Sequence, residues 1–134
     1  MHKFLFAALL PLGAFASLAQ AALIDDYIAA ARAEDPKFAG FSAERGQQFF
    51  ITKQGNRVGT EACAACHTRD PKALGAHSRT GKTIQPMAPV ANPQRLTDKA
   101  KVEKWFKRNC NDVLGRACTV REKGDFITYL ASVR

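Results

Sequence analysis

Two cysteines and a histidine lie close together near the middle of the sequence. The run is Cys63-Ala64-Ala65-Cys66-His67, which has C-x-x-C-H spacing. On a helical turn, two thiols three positions apart can add to the two vinyl groups of one porphyrin, and the next residue then places its imidazole under the iron. The run therefore predicts one haem c that is covalently attached through Cys63 and Cys66, with His67 as an iron ligand.

Two other chemistries use closely spaced cysteines, and both fit the sequence less well. A thioredoxin-like dithiol has no need of the histidine and follows a strand in a βαβ unit, which the sequence does not indicate. A structural zinc site needs a second close pair of ligands, whereas Cys110 and Cys118 are eight positions apart. In an oxidising compartment, Cys110 and Cys118 instead predict a disulfide that closes a short loop.

The first 21 residues have the pattern of a secretory signal peptide. Lys3 supplies a positive charge, an apolar stretch runs from Phe4 to Leu18, and Ala19-Gln20-Ala21 has small residues where a cleavage site needs them. The apolar stretch contains a proline and a glycine and is too short to span a membrane. We therefore expect residues 1–21 to be a signal peptide and residues 22–134 to form one periplasmic domain.

The expected mature domain is basic. Its 113 residues hold 19 Lys and Arg against 12 Asp and Glu, and no later segment is long enough to cross a bilayer. Export excludes nucleic acid as a partner, and a basic surface favours an acidic protein partner. Arg79, Lys82 and Arg95 are candidates for contact with the haem propionates, although any of them can equally be solvated.

The hydrophobic spacing predicts an all-α fold with long loops and no strand. The chain from Thr68 to Pro93 has little periodicity, and an ordered loop of that length usually wraps something. The predicted helices run from Leu23 to Glu34 and from a Ser42 cap to about Lys53; one begins at Thr97 and Asp98, and the last begins at Thr119, where Glu122 completes a capping box.

Three residues are candidates for the iron ligand opposite His67. Met87 is the one methionine besides the initiator, and a thioether is a common sixth ligand in electron-transfer cytochromes. His77 follows ten residues after His67, where a surface position is expected. In the helix predicted to begin at Thr97 and Asp98, one face holds Val102, Trp105, Phe106 and Asn109 at i, i+3, i+4 and i+7 spacing. A buried amide at Asn109 on that apolar face needs a partner. Spacing alone ranks Met87 first and leaves the other two open.

Several short stretches between about Ser42 and Leu130 match a known family. They are Arg79-Thr80-Gly81-Lys82, Pro86-Met87-Ala88-Pro89, Val102-Glu103-Lys104-Trp105, Arg108-Asn109-Cys110-Asn111 and Gly115-Arg116. Together they resemble the Sphaeroides haem protein family of small cytochromes c. The resemblance implies a class I cytochrome c-like domain of four to five helices around one haem.

The same resemblance implies roles for individual residues. It makes Asn109 a ligand of ferric iron and pairs Cys110 with Cys118 in a disulfide. Trp105 and Phe106 are then expected to wall the haem pocket, and an ordinary core role for both stays open. Another member of the family has leucine at the position of Met87, so the resemblance assigns Met87 to packing.

An asparagine ligand has a consequence for function. A carboxamide oxygen is a hard, neutral donor that favours Fe(III) over the softer Fe(II), so reduction should release Asn109 and let O2, NO or CO bind. The resemblance implies an electron carrier of this kind, with a dihaem cytochrome c and a membrane cytochrome b as redox partners. Two alternatives stay open: an enzyme that turns over O2, peroxide or NO, and an ordinary carrier that uses Met87.

Overall fold

The computed structural model describes residues 13–54 and 62–134, and this part of the chain contains five helices and one small sheet. The helices are α1 (Gly13–Glu34), α2 (Ala43–Ile51), α3 (Ala64–His67), α4 (Lys99–Leu114) and α5 (Val120–Ser132), and the strands are β1 (Gly75–Ala76) and β2 (Thr83–Ile84). This architecture confirms the predicted all-α class. The turn predicted near Gly55 to Gly59 and residues 1–12 of the predicted signal peptide lie outside the described residues.

Three helices begin where the sequence predicts, because a side-chain oxygen at each start accepts a backbone N–H from the first turn. At α2, Ser42 Oγ accepts a backbone N–H from three residues later at 3.2 Å, and Asp98 Oδ1 does the same for α4 at 3.0 Å. At α5, Thr119 Oγ1 accepts from Glu122 N while the Glu122 carboxylate accepts from Thr119 N. These contacts confirm the predicted helix starts and the capping box.

The close crossing of α2 and α5 forms the centre of the fold. A Cβ at Gly46 would overlap the Asp125 backbone carbonyl and lie 2.8 Å from Tyr129 Cβ, so glycine is required for this approach. The Asp125 carboxylate is buried at the crossing and accepts from Arg45 Nε at 2.7 Å and from Ser42 N at 2.7 Å. The largest fully buried side chains are Phe50, Ile127 and Leu130.

Helix α1 packs across α4 and α5 through its buried residues Leu23, Tyr27 and Ala31. The Tyr27 hydroxyl donates to Glu103 on α4, and Glu103 also pairs with Lys123 on α5 at 2.7 Å. One carboxylate therefore joins three helices. Helix α1 begins upstream of its predicted start and runs through the predicted cleavage position, and no described helix is long and apolar enough to cross a membrane.

The prediction that the chain contains no strand is wrong at one place. Strands β1 and β2 pair antiparallel, with Gly75 opposite Ile84, and the backbone N–H of His77 donates to the Lys82 carbonyl at 2.9 Å. The strands are two residues long, which is too short for an alternating pattern to be visible in the sequence. The hairpin lies within the long loop between α3 and α4.

Candidate haem site

The predicted haem-attachment residues lie at one short helical turn, α3, whose N-terminal cap is Cys63. The backbone N–H groups of Cys66 and His67 both donate to the Cys63 carbonyl, at 3.3 and 3.1 Å. Cys63 and Cys66 are therefore one turn apart on the same face, and both thiols are free and half-buried. Burial raises the pKa of the Cys63 thiol to about 11, so it is protonated at neutral pH.

The His67 imidazole is suited to bind a metal ion. Burial, and then the positive charge of Arg95, lower the pKa of His67 to about 4. The ring is consequently neutral at physiological pH and keeps a lone pair for a metal. A neutral imidazole directly after two free thiols is the donor set expected for a covalently attached haem.

Strand β1 packs against α3 at Gly75. The sequence did not identify this glycine as a site residue. A Cβ at Gly75 would overlap the Cys66 carbonyl oxygen and lie 3.1 Å from His67 Cα. Only glycine permits this distance, so the hairpin is fixed against the backbone that carries the cysteines. Nothing in the local sequence distinguishes Gly75 from other loop glycines, because its role depends on a contact with α3.

Arg95 is a half-buried cation beside His67. Its Nε donates to the Pro86 carbonyl and its Nη2 to the Gln85 carbonyl, both at 2.8 Å, and burial lowers the pKa of its guanidinium. Within the described part of the chain it has no carboxylate partner. A haem brings two propionates, so this side of the site also fits that cofactor. The sequence named Arg95 among three cations and did not single it out.

The other two candidate cations differ from Arg95, since Arg79 and Lys82 are exposed on the hairpin. His77, also on this hairpin, is one of the three candidates for the distal ligand. Its Nδ1 accepts from the backbone N–H groups of Arg79 and Thr80, at 3.3 Å each. One ring nitrogen of His77 is thus engaged in holding the turn.

Met87, the second candidate, is held by its backbone. Its N–H donates to the Pro71 carbonyl at 2.8 Å, as does the N–H of Ala88 at 2.9 Å. The Met87 side chain is half-buried and packs against the hydrophobic core. This position is compatible with a packing role.

Asn109, the third candidate, is half-buried in the last half of α4. It lies one turn after Trp105 and Phe106, of which Phe106 is buried whereas Trp105 is 46% exposed. The buried face of α4 is formed by Val102, Phe106, Cys110 and Val113. Two members of the predicted apolar face, Trp105 and Asn109, lie at its edge.

The residue after Asn109 is held by a covalent bond. Cys110 is joined to Cys118, with 5.6 Å between their Cα atoms. Gly115, in a left-handed conformation at φ 69°, ends α4, and Arg116 pairs with Glu122 at 2.6 Å. The C-terminal end of α4 is consequently tied to the start of α5 at several points, which restricts the backbone beside Asn109.

Comparison with known proteins identifies relatives of this chain. A sequence-family model described as "Domain of unknown function (DUF1924)" matches residues 36–130. The cytochrome c-type protein SHP of Cereibacter sphaeroides is 50% identical over 91 residues, which cover 67% of this chain and 70% of the relative.

Two solved structures have the same fold. Oxidised SHP, described as an oxygen-binding cytochrome c, superposes with a TM-score of 0.75 at 45% identity and covers 85% of this chain and 96% of its own. The solution structure of cytochrome c'' from Methylophilus methylotrophus, described as giving insights into haem-ligand detachment, has a TM-score of 0.76 at 40% identity, covering 85% and 93%. With these likenesses and a site that suits a haem, the chain belongs to the Sphaeroides haem protein family of c-type cytochromes and carries one covalently bound haem.

Proposed function

We propose that this cytochrome transfers electrons in the periplasm and opens its distal haem face on reduction, when Asn109 leaves the iron and a diatomic ligand such as O2, NO or CO can bind. The observation that carries the proposal is the position of Asn109. It is a half-buried carboxamide at the edge of the apolar face of α4, next to a disulfide-bonded cysteine. The names of the solved relatives, with oxygen binding in one and ligand detachment in the other, support it.

The proximal side is assigned to α3. Cys63 and Cys66 provide the two thioether attachments, and the neutral His67 imidazole ligates the iron. When bound, the haem supplies the one-electron couple and the ligand-binding iron. The Gly75 contact with Cys66 holds the hairpin against this turn, so the proximal side stays in place in both oxidation states.

The distal side needs a ligand that binds weakly and moves little. The Asn109 carboxamide oxygen is a neutral, hard donor that prefers ferric to ferrous iron. The disulfide and the Arg116–Glu122 pair fix the following backbone, so release of the ligand requires only a rotation of the side chain. In this proposal Trp105, which lies one turn earlier and is 46% exposed, lines the same pocket.

The remaining expectations concern location and partners. Residues 1–21 act as a signal peptide and residues 22–134 form the haem domain, which matches an oxidising compartment where Cys110 and Cys118 pair. The basic surface favours acidic redox partners, for which a dihaem cytochrome c and a membrane cytochrome b are the candidates.

Substitution of Asn109 tests the distal assignment. Asn109→Ala should give a high-spin ferric absorption spectrum with covalent haem retained, because alanine has no donor atom to ligate the iron. Asn111→Ala is the matched control: it changes an exposed asparagine on the other side of Cys110 and should leave the spectrum unchanged. An unaltered ferric spectrum in Asn109→Ala would remove this residue from the site.

Two further measurements distinguish the alternatives. Reduced wild-type protein should bind CO rapidly, whereas a closed six-coordinate iron would respond slowly. Met87→Leu should leave the ferric spectrum unchanged, and loss of a thioether charge-transfer band in this variant would establish an ordinary His/Met carrier instead.

A further inference from the structure

We infer that Arg95 binds a haem propionate and that its charge raises the reduction potential of the haem. The inference rests on the assignment of the haem to Cys63, Cys66 and His67, and it is independent of which residue lies on the distal side. It identifies one of the three candidate cations and gives it a measurable role.

The hydrogen bonds of Arg95 are the first observation. Nε and Nη2 donate to two successive backbone carbonyls, Pro86 and Gln85, at 2.8 Å each. These bonds fix the plane of the guanidinium. They use two of its five N–H donors, and the planar group presents the others for a further acceptor. A carboxylate is the acceptor that this geometry favours, because it can take two parallel hydrogen bonds.

The lack of a protein anion is the second observation. Two other charged side chains that are largely buried have ionic partners. Asp125 pairs with Arg45 at 2.7 Å, and Lys123 pairs with Glu103 at 2.7 Å. Arg95 is half-buried, but within residues 13–54 and 62–134 its guanidinium hydrogen-bonds to carbonyl oxygens and forms no ion pair with a carboxylate. Since a buried charge is costly unless it is paired, a bound anion would stabilise this arrangement.

The position of its carbonyl partners is the third observation. Gln85 and Pro86 directly follow β2, which pairs with β1, and Gly75 of β1 lies against Cys66 and His67. The cation is therefore held beside the hairpin that packs on the haem-attachment turn, whereas Arg79 and Lys82 are exposed on the hairpin itself. Of the anions expected in this region, the haem propionates are the ones that the cofactor itself brings.

A fixed positive charge near the iron has a predictable electrostatic effect. Reduction lowers the charge on the haem, so a nearby cation favours the ferrous form. The propionate offsets part of this effect, but a half-buried guanidinium is less screened than an exposed one. Arg95 should therefore raise the reduction potential more than Arg79 does.

Equilibrium redox titration of the holoprotein tests this inference. Arg95→Gln should lower the equilibrium constant for reduction about tenfold, which for a one-electron couple is about 59 mV. Arg79→Gln removes the same charge from an exposed position and should change that constant less than about twofold, since solvent and salt screen it. The equilibrium constant for reduction of Arg95→Lys should fall between the constants of those two variants, because lysine keeps the positive charge but lacks the planar guanidinium.

A spectroscopic measurement separates propionate binding from a purely structural role. The propionate bending band in the resonance Raman spectrum reports hydrogen bonding to that group. The band should shift in Arg95→Gln and stay unchanged in Arg79→Gln. If Arg95→Gln does not assemble with haem, the band in Arg95→Lys provides the same test.

Equal potentials for Arg95→Gln and Arg79→Gln, or an unchanged propionate band in the Arg95 variants, would overturn the inference. Such a result would leave the distal assignment intact, because that assignment is tested by the ferric spectrum of Asn109→Ala. Conversely, an unaltered Asn109→Ala spectrum would not affect the comparison of the two arginine variants.

Discussion

In the part of the chain that the structure describes, glycine brings two backbones together at two places, and the surroundings of those contacts differ. At the α2–α5 crossing, Gly46 lies against Asp125, whose carboxylate is paired with Arg45 and Ser42. At the α3–β1 contact, Gly75 lies against Cys66, whose thiol is free. In the first region the protein's own groups pair the buried carboxylate. In the second region the thiols are free, and a covalently attached cofactor would bind them.

This difference indicates how stability and function are divided. The crossing holds the largest fully buried side chains, Phe50, Ile127 and Leu130, and the burial of their apolar surface stabilises the fold. The α3–β1 region is mostly loop, and its cysteines and histidine are the groups that we propose to hold the haem. Substitution of either glycine should lower stability, by a larger amount at Gly46. Only the substitution at Gly75 should also change the haem site.

The largest effect is expected at the crossing. Gly46→Ala should lower the free energy of unfolding by about 3 kcal/mol, because the added Cβ overlaps a helix backbone that cannot move without separating α2 from α5. Urea unfolding followed by circular dichroism measures it. Gln48→Ala, at an exposed position on α2, is the control and should change stability by less than about 0.5 kcal/mol. Equal stabilities for the two variants would contradict the role of Gly46.

A smaller and different effect is expected at the haem side. Gly75→Ala should cost about 1–2 kcal/mol, because the neighbour of the new Cβ is a short hairpin that can shift away from α3. That shift should alter the ferric absorption spectrum, which Gly46→Ala should leave unchanged in the folded protein. Ser78→Ala, on the exposed hairpin turn, is the control. A Gly75→Ala protein with a wild-type spectrum would show that the two glycine contacts do not differ in this way.

The two regions also differ in how far the sequence predicts them. Helix starts at Ser42, Asp98 and Thr119 are local, since each depends on a side chain and a backbone N–H three residues later, and all three are confirmed. The all-α class and the family follow from patterns of the same local kind. Helix α1 is the exception, because the sequence predicts its start at Leu23 whereas the described helix begins at Gly13.

Long-range features of the haem side could not be predicted in this way. Gly75 and the two-residue strands depend on contacts between α3 and a loop that has no periodicity, so no sequence pattern marks them. Arg95 appears in the sequence as one cation among many, and its burial emerges only when Gln85 and Pro86 fold around it. The roles of Asn109 and Met87 stay predictions, since spacing and family resemblance rank them differently.

The smallest effect on stability is expected at the start of α5. There the Glu122 carboxylate takes part in the capping box and also pairs with the positive charge of Arg116. The hydrogen bond from Arg116 holds the pKa of Glu122 below its usual range. A lowered folded-state pKa stabilises the protein at pH values above the unfolded pKa of about 4.3, and this contribution is lost as the pH falls through the folded value. Glu122→Gln keeps an amide oxygen for the capping box and removes only the charge.

Glu122→Gln should therefore cost about 0.5–1 kcal/mol at pH 7, as expected for a partly exposed ion pair, and the difference from wild type should vanish in acid, below the folded pKa of Glu122. Arg116→Gln completes a double-mutant cycle that isolates the pair from the cap. A difference that is the same at pH 7 and pH 3 would mean that the cap, and not the charge, supplies the stability. In that case this end of α4, beside Asn109, would be held by the disulfide and by hydrogen bonds that do not depend on pH.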